Sequence, residues 1–145
     1  MPSRIAELPP TLPEARALLA QAGLPADDLG DEDSLRLFAV REGGRLVGIV
    51  GLQPLGGVAL LRSLAVESPA RGRGVGALLV ASAEEQARRA GCAEVYLLTT
   101  GAAAYFAGRG YRAIGREEAP PALRATRQYA GLCPASAVVM RKSLA

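Results

Sequence analysis

The chain has 145 residues, of which 50% are hydrophobic and 21% are charged, a balance typical of one globular domain spanning 1–145. It contains no histidine, which excludes Ser-His-Asp and Cys-His catalysis, an imidazole general base and histidine-ligated metals. The net charge of +3 comes from basic residues that are spread along the chain rather than grouped, so we expect no nucleic-acid partner.

The first half of the sequence predicts one helix and four strands that form an antiparallel meander. Their expected bounds are 5–8 for the first strand, 10–22 for the helix, and 35–41, 45–53 and 58–66 for the other strands. The strand over 58–66 is almost continuously apolar, so we expect it in the middle of the sheet. An acidic loop over 27–33 is either simply solvated or forms a wall that attracts a cationic amine.

The second half predicts three helices that alternate with three strands. Their expected bounds are 74–90, 101–109 and 120–129 for the helices, and 94–100, 111–114 and 137–142 for the strands. The helix over 74–90 has the clearest amphipathic pattern, with Leu78 on the expected inner face and Glu84 on the expected outer face. Together the elements predict one α/β domain with a mixed sheet.

The two cysteines and the N-terminal sequence bear on metal binding and location. Cys92 and Cys133 lie in no metal-ligand spacing, so we expect two reduced thiols and no metal site. The first residues lead into no apolar segment, and no run approaches the roughly 18 apolar residues of a membrane span. We therefore expect a cytoplasmic protein with no membrane partner.

The most informative segment joins the central strand to the strongest helix and reads Arg71-Gly72-Arg73-Gly74-Val75-Gly76-Ala77. Glycines let the backbone turn tightly and come close to a ligand. The first amides of a helix have no intrahelical partner and carry the positive end of its dipole, so this segment is suited to a pyrophosphate. Arg71 and Arg73 add positive charge at its rim.

Two other phosphate-binding motifs fit this segment less well. A P-loop requires Gly-Lys-Ser/Thr, which does not follow here. The dinucleotide fingerprint GxGxxG/A is matched by Gly72, Gly74 and Ala77, and Glu94 lies about where an acidic ribose partner is expected. However, the residues 67–71 separate the strand from the first glycine, and the upstream strands form a meander rather than a βαβ unit.

Arg71-x-x-Gly74-x-Gly76, with Leu64-Ala65-Val66 and Pro69 before it, resembles the acetyl-CoA pyrophosphate loop of the GNAT N-acetyltransferases. The order of the surrounding elements is similar too, so the resemblance covers almost the whole chain. It implies an α/β (α+β) fold with a mixed, mostly antiparallel central sheet flanked by helices. The tail over 122–137 resembles the ending of the ArsN-like acetyltransferases, a group associated with arsenic resistance.

The resemblance implies that acetyl-CoA is the co-substrate and assigns the residues that hold it. The pantetheine arm would pair with the end of the central strand, and Leu97 to Thr99 would lie on its other side. Backbone N–H groups near Leu64 to Val66 would stabilise the oxyanion. The cofactor-binding residues implied in this way are Leu64, Ala65, Val66, Arg71, Gly72, Arg73, Gly74, Val75, Gly76, Ala77 and Thr99.

The sequence departs from the family pattern at both proton-transfer positions. Family members often carry a Glu six residues before the Val of the central strand, and that residue here is Leu60. The base is therefore unassigned among Glu67, a carboxylate of the acidic loop, and water. The family Tyr that reaches the CoA sulfur is replaced by Phe106, and Tyr105 lies one residue earlier, about 100° away around a helix. Tyr105 is the candidate acid, with a packing role near CoA as the alternative.

Three arginines are candidates for substrate binding. Arg62 is a charge in the middle of an apolar strand, which is costly unless it is paired. It either pairs with an internal carboxylate or binds an anionic group of the substrate. Arg124 and Arg127, three residues apart on the last predicted helix, either form a second anion site or lie exposed on the surface.

These observations predict a transfer of the acetyl group from acetyl-CoA to the primary amine of a small molecule by direct amine attack. An amino acid or an arsenical amino-acid mimic is the candidate acceptor. One alternative is a non-catalytic acyl-CoA-binding module of the same fold, which Leu60 and Phe106 keep open. A second alternative is a dinucleotide-binding domain. The resemblance also implies a homodimer.

Overall fold

The computed structural model describes residues 5–24, 34–67, 70, 74–126, 129 and 136–144. Within these ranges the strands and helices follow the predicted order, and a short 3-10 helix at Arg116–Glu118 was not predicted. Their bounds are β1 Ile5–Leu8, α1 Pro13–Gln21, β2 Arg36–Glu42, β3 Arg45–Pro54, β4 Val58–Val66, α2 Val75–Arg89, β5 Glu94–Thr99, α3 Ala103–Ala107, β6 Arg112–Ile114, the 3-10 helix Arg116–Glu118, α4 Pro121–Arg124 and β7 Val138–Ser143. The acidic loop over 27–33 lies outside the described residues.

The strands form a seven-stranded sheet in the order β1-β2-β3-β4-β5-β7-β6. Pairing is antiparallel between β1 and β2, β2 and β3, β5 and β7, and β6 and β7, and it is parallel between β4 and β5. β4 is buried along most of its length, as expected for an apolar strand in the middle of a sheet. The predicted α/β fold, with a mixed, mostly antiparallel sheet flanked by helices, is therefore confirmed.

The chain divides into two compact units whose boundary falls inside β4 and inside α2. The first unit comprises 1–53 and 61–86, and the second comprises 54–60 and 87–145. In the first unit, buried residues of α1 pack with those of the adjacent strands in one apolar cluster. Its members are Ala15, Leu18, Leu19, Leu35, Leu37, Ala39, Leu46, Ile49 and Ala65.

Helix α1 begins at Pro13 rather than at the predicted residue 10. Leu12 is extended, with φ −63° and ψ 124°, because a following proline disfavours helical geometry. Pro9 to Leu12 form a turn instead, in which the Leu12 N–H donates to the Pro9 carbonyl at 3.2 Å. Glu14 in the first turn of the helix pairs with Arg41 of β2 at 3.0 Å, which ties the helix to the sheet.

Helix α2 buries Val75, Leu79, Ala83 and Ala87, as its amphipathic pattern predicts, but the edges of the buried face differ from the prediction. Leu78 is 41% exposed, whereas the carboxylate-bearing Glu84 is buried. Both expectations for these residues were therefore wrong. The buried residues of α2 are Val75, Leu79, Val80, Ala83, Glu84 and Ala87.

The second unit is built on β5, β6, β7 and the beginning of β4. Its apolar cluster consists of Leu60, Tyr96, Ala119, Leu123 and Val139. Helix α4 ends at Arg124, well before the predicted end at residue 129. The buried Thr126 hydroxyl donates to the Leu123 carbonyl at 2.7 Å, and such a side-chain bond competes with continuation of the helix.

Candidate functional site

β4 leaves regular extended geometry at Ser63. Its φ of 58° is the only positive value among the non-glycine residues that the structure describes. Left-handed backbone is sparsely populated by L-residues and is often found at functional sites. The alternation of side chains that is expected along β4 is interrupted at Ser63, because a left-handed residue departs from extended geometry. Arg62 and Ser63 are both buried at this bulge.

Arg62 lies inside the first unit. The residue is only 3% exposed, and its Nε donates to the Ser63 hydroxyl at 3.0 Å. Its stem runs against β3 at Gly51, where an added Cβ would lie 3.1 Å from Arg62 Cγ. The contacts of Arg62 thus include a hydroxyl group of its own strand and a position of β3 that has no side chain.

The segment Leu64 to Val66 continues β4 beyond the bulge. Ala65 is buried, and Leu64 and Val66 are partly buried. The next residue, Glu67, donates its N–H to the Val47 carbonyl at 2.9 Å, so the end of β4 is held against β3. The Glu67 carboxylate also accepts a hydrogen bond from Arg45 of β3 at 2.6 Å. This side-chain bond is a second link between the end of β4 and β3.

Helix α2 begins directly after this region, with Gly74 as the residue before its first turn. Gly74 has a φ of 80°, and its carbonyl accepts the N–H of Leu78 at 3.0 Å. The N–H groups of Val75, Gly76 and Ala77 have no carbonyl one turn earlier within the helix, and the first turn contains no acidic residue. This helix end is therefore electrostatically suited to an anion.

A glycine in β3 brings the two halves of this region together. A Cβ added at Gly48 would lie 2.9 Å from both Val75 Cγ1 and Leu79 Cδ1, and 3.5 Å from the Ala65 carbonyl oxygen. The first turn of α2 and the end of β4 thus meet over one position of β3. The structure brings Leu64 to Val66 close to Gly74 to Ala77, whereas Arg71, Gly72 and Arg73 lie outside the described residues.

In the second unit, Thr99 ends β5 and closes the turn into α3. Its hydroxyl oxygen accepts the N–H groups of Ala102 at 2.9 Å and Gly101 at 3.4 Å. The register of β5 with β4 ends at Tyr96, although β5 continues and pairs with β7 up to Thr99. In the register of the described strands, the backbone from Leu97 to Thr99 is therefore paired with β7 on one side and not with β4 on the other.

Tyr105 lies on the outer side of α3. It is 38% exposed, and the Arg109 guanidinium lies over its ring at 4.3 Å from the centroid. Phe106 is buried instead, with its ring edge-on to Tyr105 at 5.2 Å and to Tyr111 at 5.6 Å. Phe106 is therefore the inward aromatic residue of α3, and Tyr105 is the exposed one.

Arg124 is bound to the backbone before α4. Its Nε donates to the Ala119 carbonyl at 2.9 Å, and its Nη2 donates to the Glu117 carbonyl at 2.6 Å. These bonds tie the helix to the end of the preceding 3-10 helix. The structure does not bring Arg124 and Arg127 together in a described site, because Arg127 lies outside the described residues.

The positions expected to supply a base or a reactive thiol have the following surroundings in the described part of the chain. Leu60 is fully buried in the apolar cluster of the second unit, and Glu67 is bound to Arg45. The Cys92 thiol donates to the Gly56 carbonyl at 3.5 Å, and burial raises its pKa, which disfavours a reactive thiolate. Cys133 lies outside the described residues.

The described ranges contain no group of three or more acidic or cysteine side chains that could hold a metal. No helix in these ranges is long and apolar enough to cross a bilayer.

Sequence reasoning missed three residues that shape the site, namely Gly48, Gly51 and Ser63. Both glycines interrupt a strand pattern, and such a glycine indicates that another backbone or side chain approaches closely. That signal was available in the sequence. The conformation of Ser63 left no comparable signal, because serine is also an ordinary strand-edge residue.

Solved structures share this fold. A Klebsiella pneumoniae protein proposed to be an acyl-CoA N-acyltransferase is 25% identical, with a TM-score of 0.78 over 99% of this chain and 98% of that one. A Staphylococcus aureus acetyltransferase of the GNAT family is 16% identical, with a TM-score of 0.78 over 98% of this chain and 100% of that one. N-acetylglutamate synthase from Neisseria gonorrhoeae, complexed with coenzyme A and N-acetylglutamate, is 20% identical, with a TM-score of 0.79 over 100% of this chain and 36% of that one.

The match to a family model, together with the fold, shows that the chain is an acyltransferase. The model of the acetyltransferase (GNAT) family matches residues 5–111, and the chain belongs to this family. Acetyl-CoA is the co-substrate of such enzymes, as expected from the resemblance. No curated protein matched the sequence.

Proposed function

We propose that the protein transfers the acetyl group of acetyl-CoA to the primary amine of a small molecule that also carries an acid group. The observation that carries this proposal is Arg62, a buried arginine on β4 immediately before the bulge and the segment Leu64 to Val66. A planar guanidinium binds a carboxylate in two parallel hydrogen bonds, which makes arginine suited to select such an acceptor.

The proposed cofactor site begins on the first unit. The amides of Leu64, Ala65 and Val66 would pair with the pantetheine arm, and those of Gly74 to Ala77 would hold the diphosphate. Support comes from Gly48, which brings the end of β4 and the first turn of α2 together. Arg71, Gly72 and Arg73 complete the proposed loop, and Thr99 stays a predicted cofactor contact.

The proposed reaction is a direct displacement on the thioester. The amine nitrogen attacks the carbonyl carbon, a C–N bond forms, the C–S bond breaks, and the electron pair leaves with the CoA thiolate. Backbone N–H groups at the bulge from Ser63 to Val66 would stabilise the oxyanion. The substrate ammonium gives its proton to a base that stays unassigned among Glu67, a carboxylate of the acidic loop and water. Leu60 carries no titratable group, and Glu67 is bound to Arg45. Tyr105 stays the predicted donor to the thiolate.

The finer identity of the acceptor rests on two further features. The tail over 122–137 resembles the ArsN-like group, which supports an arsenical amino-acid mimic beside ordinary amino acids. The gonococcal neighbour was crystallised with an N-acetylated amino acid, which is consistent with an acceptor of that chemical class. Arg124 and Arg127 stay predicted substrate contacts.

One domain over 1–145 and a homodimer are also part of the proposal. The near-complete match to the Klebsiella structure supports the single domain.

Release of free CoA thiol measures the proposed activity directly. The acceptors are amino acids, arsenical and phosphinic amino acids, and matched amines that lack the acid group, such as glycine beside methylamine. The proposal predicts faster thiol release with the acid-bearing member of each pair. Equal rates within the pairs would remove the acid-group requirement.

A non-catalytic acyl-CoA-binding module is the second candidate function. Buried apolar side chains at Leu60 and Phe106, where the family often has its base and acid, favour it. This candidate predicts that CoA raises the melting temperature, whereas no amine in the panel causes thiol release. The family match and the mostly antiparallel sheet do not support the other alternative, a dinucleotide-binding domain.

A further inference from the structure

We propose that Ser63 is a positioning residue that sets the orientation of the Arg62 guanidinium and thereby makes the enzyme selective for acceptors with an acid group. This inference rests on the proposed function, because it assigns to Ser63 the specificity of the site in which Arg62 acts. It uses only residues of the first unit, where Arg62 contacts both Ser63 and Gly51.

The first supporting observation is the pairing of an unusual backbone with a specific hydrogen bond. Ser63 has a φ of 58°, is 8% exposed, and accepts the Arg62 Nε–H at 3.0 Å. Neighbouring residues of a regular strand direct their side chains to opposite faces of the sheet. The left-handed turn at Ser63 breaks that alternation and lets the hydroxyl reach the side chain of the residue before it.

The second observation is the close contact with β3. An added Cβ at Gly51 would lie 3.1 Å from Arg62 Cγ, 3.2 Å from the Arg62 carbonyl oxygen and 3.3 Å from Leu35 Cδ1. The Arg62 stem therefore rests against the bare backbone of β3. The contact of the stem with Gly51 and the hydrogen bond from Nε to Ser63 both restrain the plane of the guanidinium.

Such restraint matters for recognition because bidentate binding of a carboxylate requires the plane of the guanidinium to be aligned with the plane of the carboxylate. A guanidinium that is oriented beforehand loses less conformational freedom when the acceptor binds. An amine without an acid group makes no such contact, so its binding should not depend on the orientation of Arg62. Ser63 should consequently affect one class of acceptor and not the other.

Ser63→Gly is the informative variant, because glycine adopts the left-handed conformation without strain and lacks the hydroxyl. Ser63→Asn is the matched control, since asparagine tolerates the same conformation and keeps an oxygen acceptor. We expect Ser63→Gly to raise KM for glycine about tenfold relative to KM for methylamine, as expected for loss of one hydrogen bond to a charged group. Ser63→Asn should restore much of that ratio.

Gly51→Ala provides a second, independent variant. A methyl group at this position would displace the Arg62 stem, so it should change the same KM ratio in the same direction as Ser63→Gly. If either variant raises KM for glycine and methylamine equally, or raises KM for acetyl-CoA instead, Ser63 supports the strand rather than acceptor selection and the proposal is overturned.

A readout without turnover separates this inference from the proposed function. The Nε–H of Arg62 is followed by ¹⁵N NMR, with the signal assigned from its absence in Arg62→Lys, while acetate is titrated as the anion. We expect a slowly exchanging Nε–H in the wild type, faster exchange and weaker acetate binding in Ser63→Gly, and recovery in Ser63→Asn. This result in a protein that releases no thiol would reject the proposed function alone, whereas unchanged exchange or no response of Arg62 to acetate would reject the role of Ser63.

Discussion

Gly48 of β3 lies directly against Val75, the first residue of α2, with only 2.9 Å between an added Cβ and Val75 Cγ1. This contact sets how closely the start of the helix approaches the sheet. The Ala65 carbonyl oxygen is 3.5 Å from the same point, so the end of β4 is located by the same glycine. A single strand position without a side chain therefore brings together the two segments proposed to bind the cofactor.

Gly48→Ala should destabilise the protein and weaken cofactor binding together. The added methyl group has to move the β-branched Val75 side chain, and overpacking of this kind costs about 1–3 kcal/mol. Urea unfolding measures the free energy of unfolding, and calorimetry measures CoA affinity. Gly57→Ala is the control, since an added Cβ there has no neighbour within 4 Å. Unchanged CoA affinity in a destabilised Gly48→Ala protein would contradict the proposed arrangement.

Gly74 and Gly91 form a matched pair for testing the proposed phosphate site. They precede and follow α2 with φ values of 80° and 84°, and neither has a neighbour within 4 Å of an added Cβ. Alanine at either position should cost about 1–2 kcal/mol of stability, because L-residues are strained in this conformation. Only Gly74→Ala should also raise KM for acetyl-CoA, by roughly tenfold. An equal rise in Gly91→Ala would show that the effect is general destabilisation.

Glu67→Gln tests whether the only carboxylate adjacent to β4 in sequence is the base. Because its partner Arg45 is exposed, the lost ion pair should change the free energy of unfolding by less than about 1 kcal/mol. If water accepts the proton, the variant should keep the shape of the wild-type pH–rate profile. Loss of activity on the alkaline side by a hundredfold or more would instead identify Glu67 as the general base.

Tyr105→Phe tests the predicted acid. Removing a general acid lowers rates by about 10²-fold or more, so we expect kcat to fall and its pH dependence to change. Tyr129→Phe is the control, because that hydroxyl donates to the Arg116 carbonyl at 3.2 Å and has no assigned part in the reaction. If Tyr105→Phe keeps both kcat and the pH profile, the tyrosine has only the packing contact with Arg109 and Phe106.

Two ion pairs of the first unit predict how stability depends on pH. Hydrogen bonds from Arg36 and Arg41 hold the pKa values of Glu7 and Glu14 below the usual 4.5. Their contribution to stability is therefore complete above pH 4.5 and is lost as the pH falls through the lowered pKa values. The Glu7→Gln/Glu14→Gln double variant should show a shallower loss of stability below pH 4.5 in urea titrations. A slope equal to that of the wild type would contradict this account.

The sequence predicted the order of strands and helices and the family to which the chain belongs, because these depend on local signals. The hairpin at Gly43-Gly44, the apolar run over 58–66 and the glycines before α2 can each be recognised within about ten residues. The start of α1 at Pro13 also depends on a local signal, because a residue before proline disfavours helical geometry and Leu12 is such a residue. Family membership followed from the same local motif.

Only the tertiary structure decided the details of the candidate site. Gly48 and Gly51 matter because Val75 and Arg62, from other elements, pack against them. The left-handed conformation at Ser63 and the burial of Glu84 likewise depend on what surrounds each residue and not on its neighbours in sequence. Sequence periodicity shows that a residue tends to face a core, but it does not show which distant backbone leaves room for it. That space exists only after the strands and helices have packed.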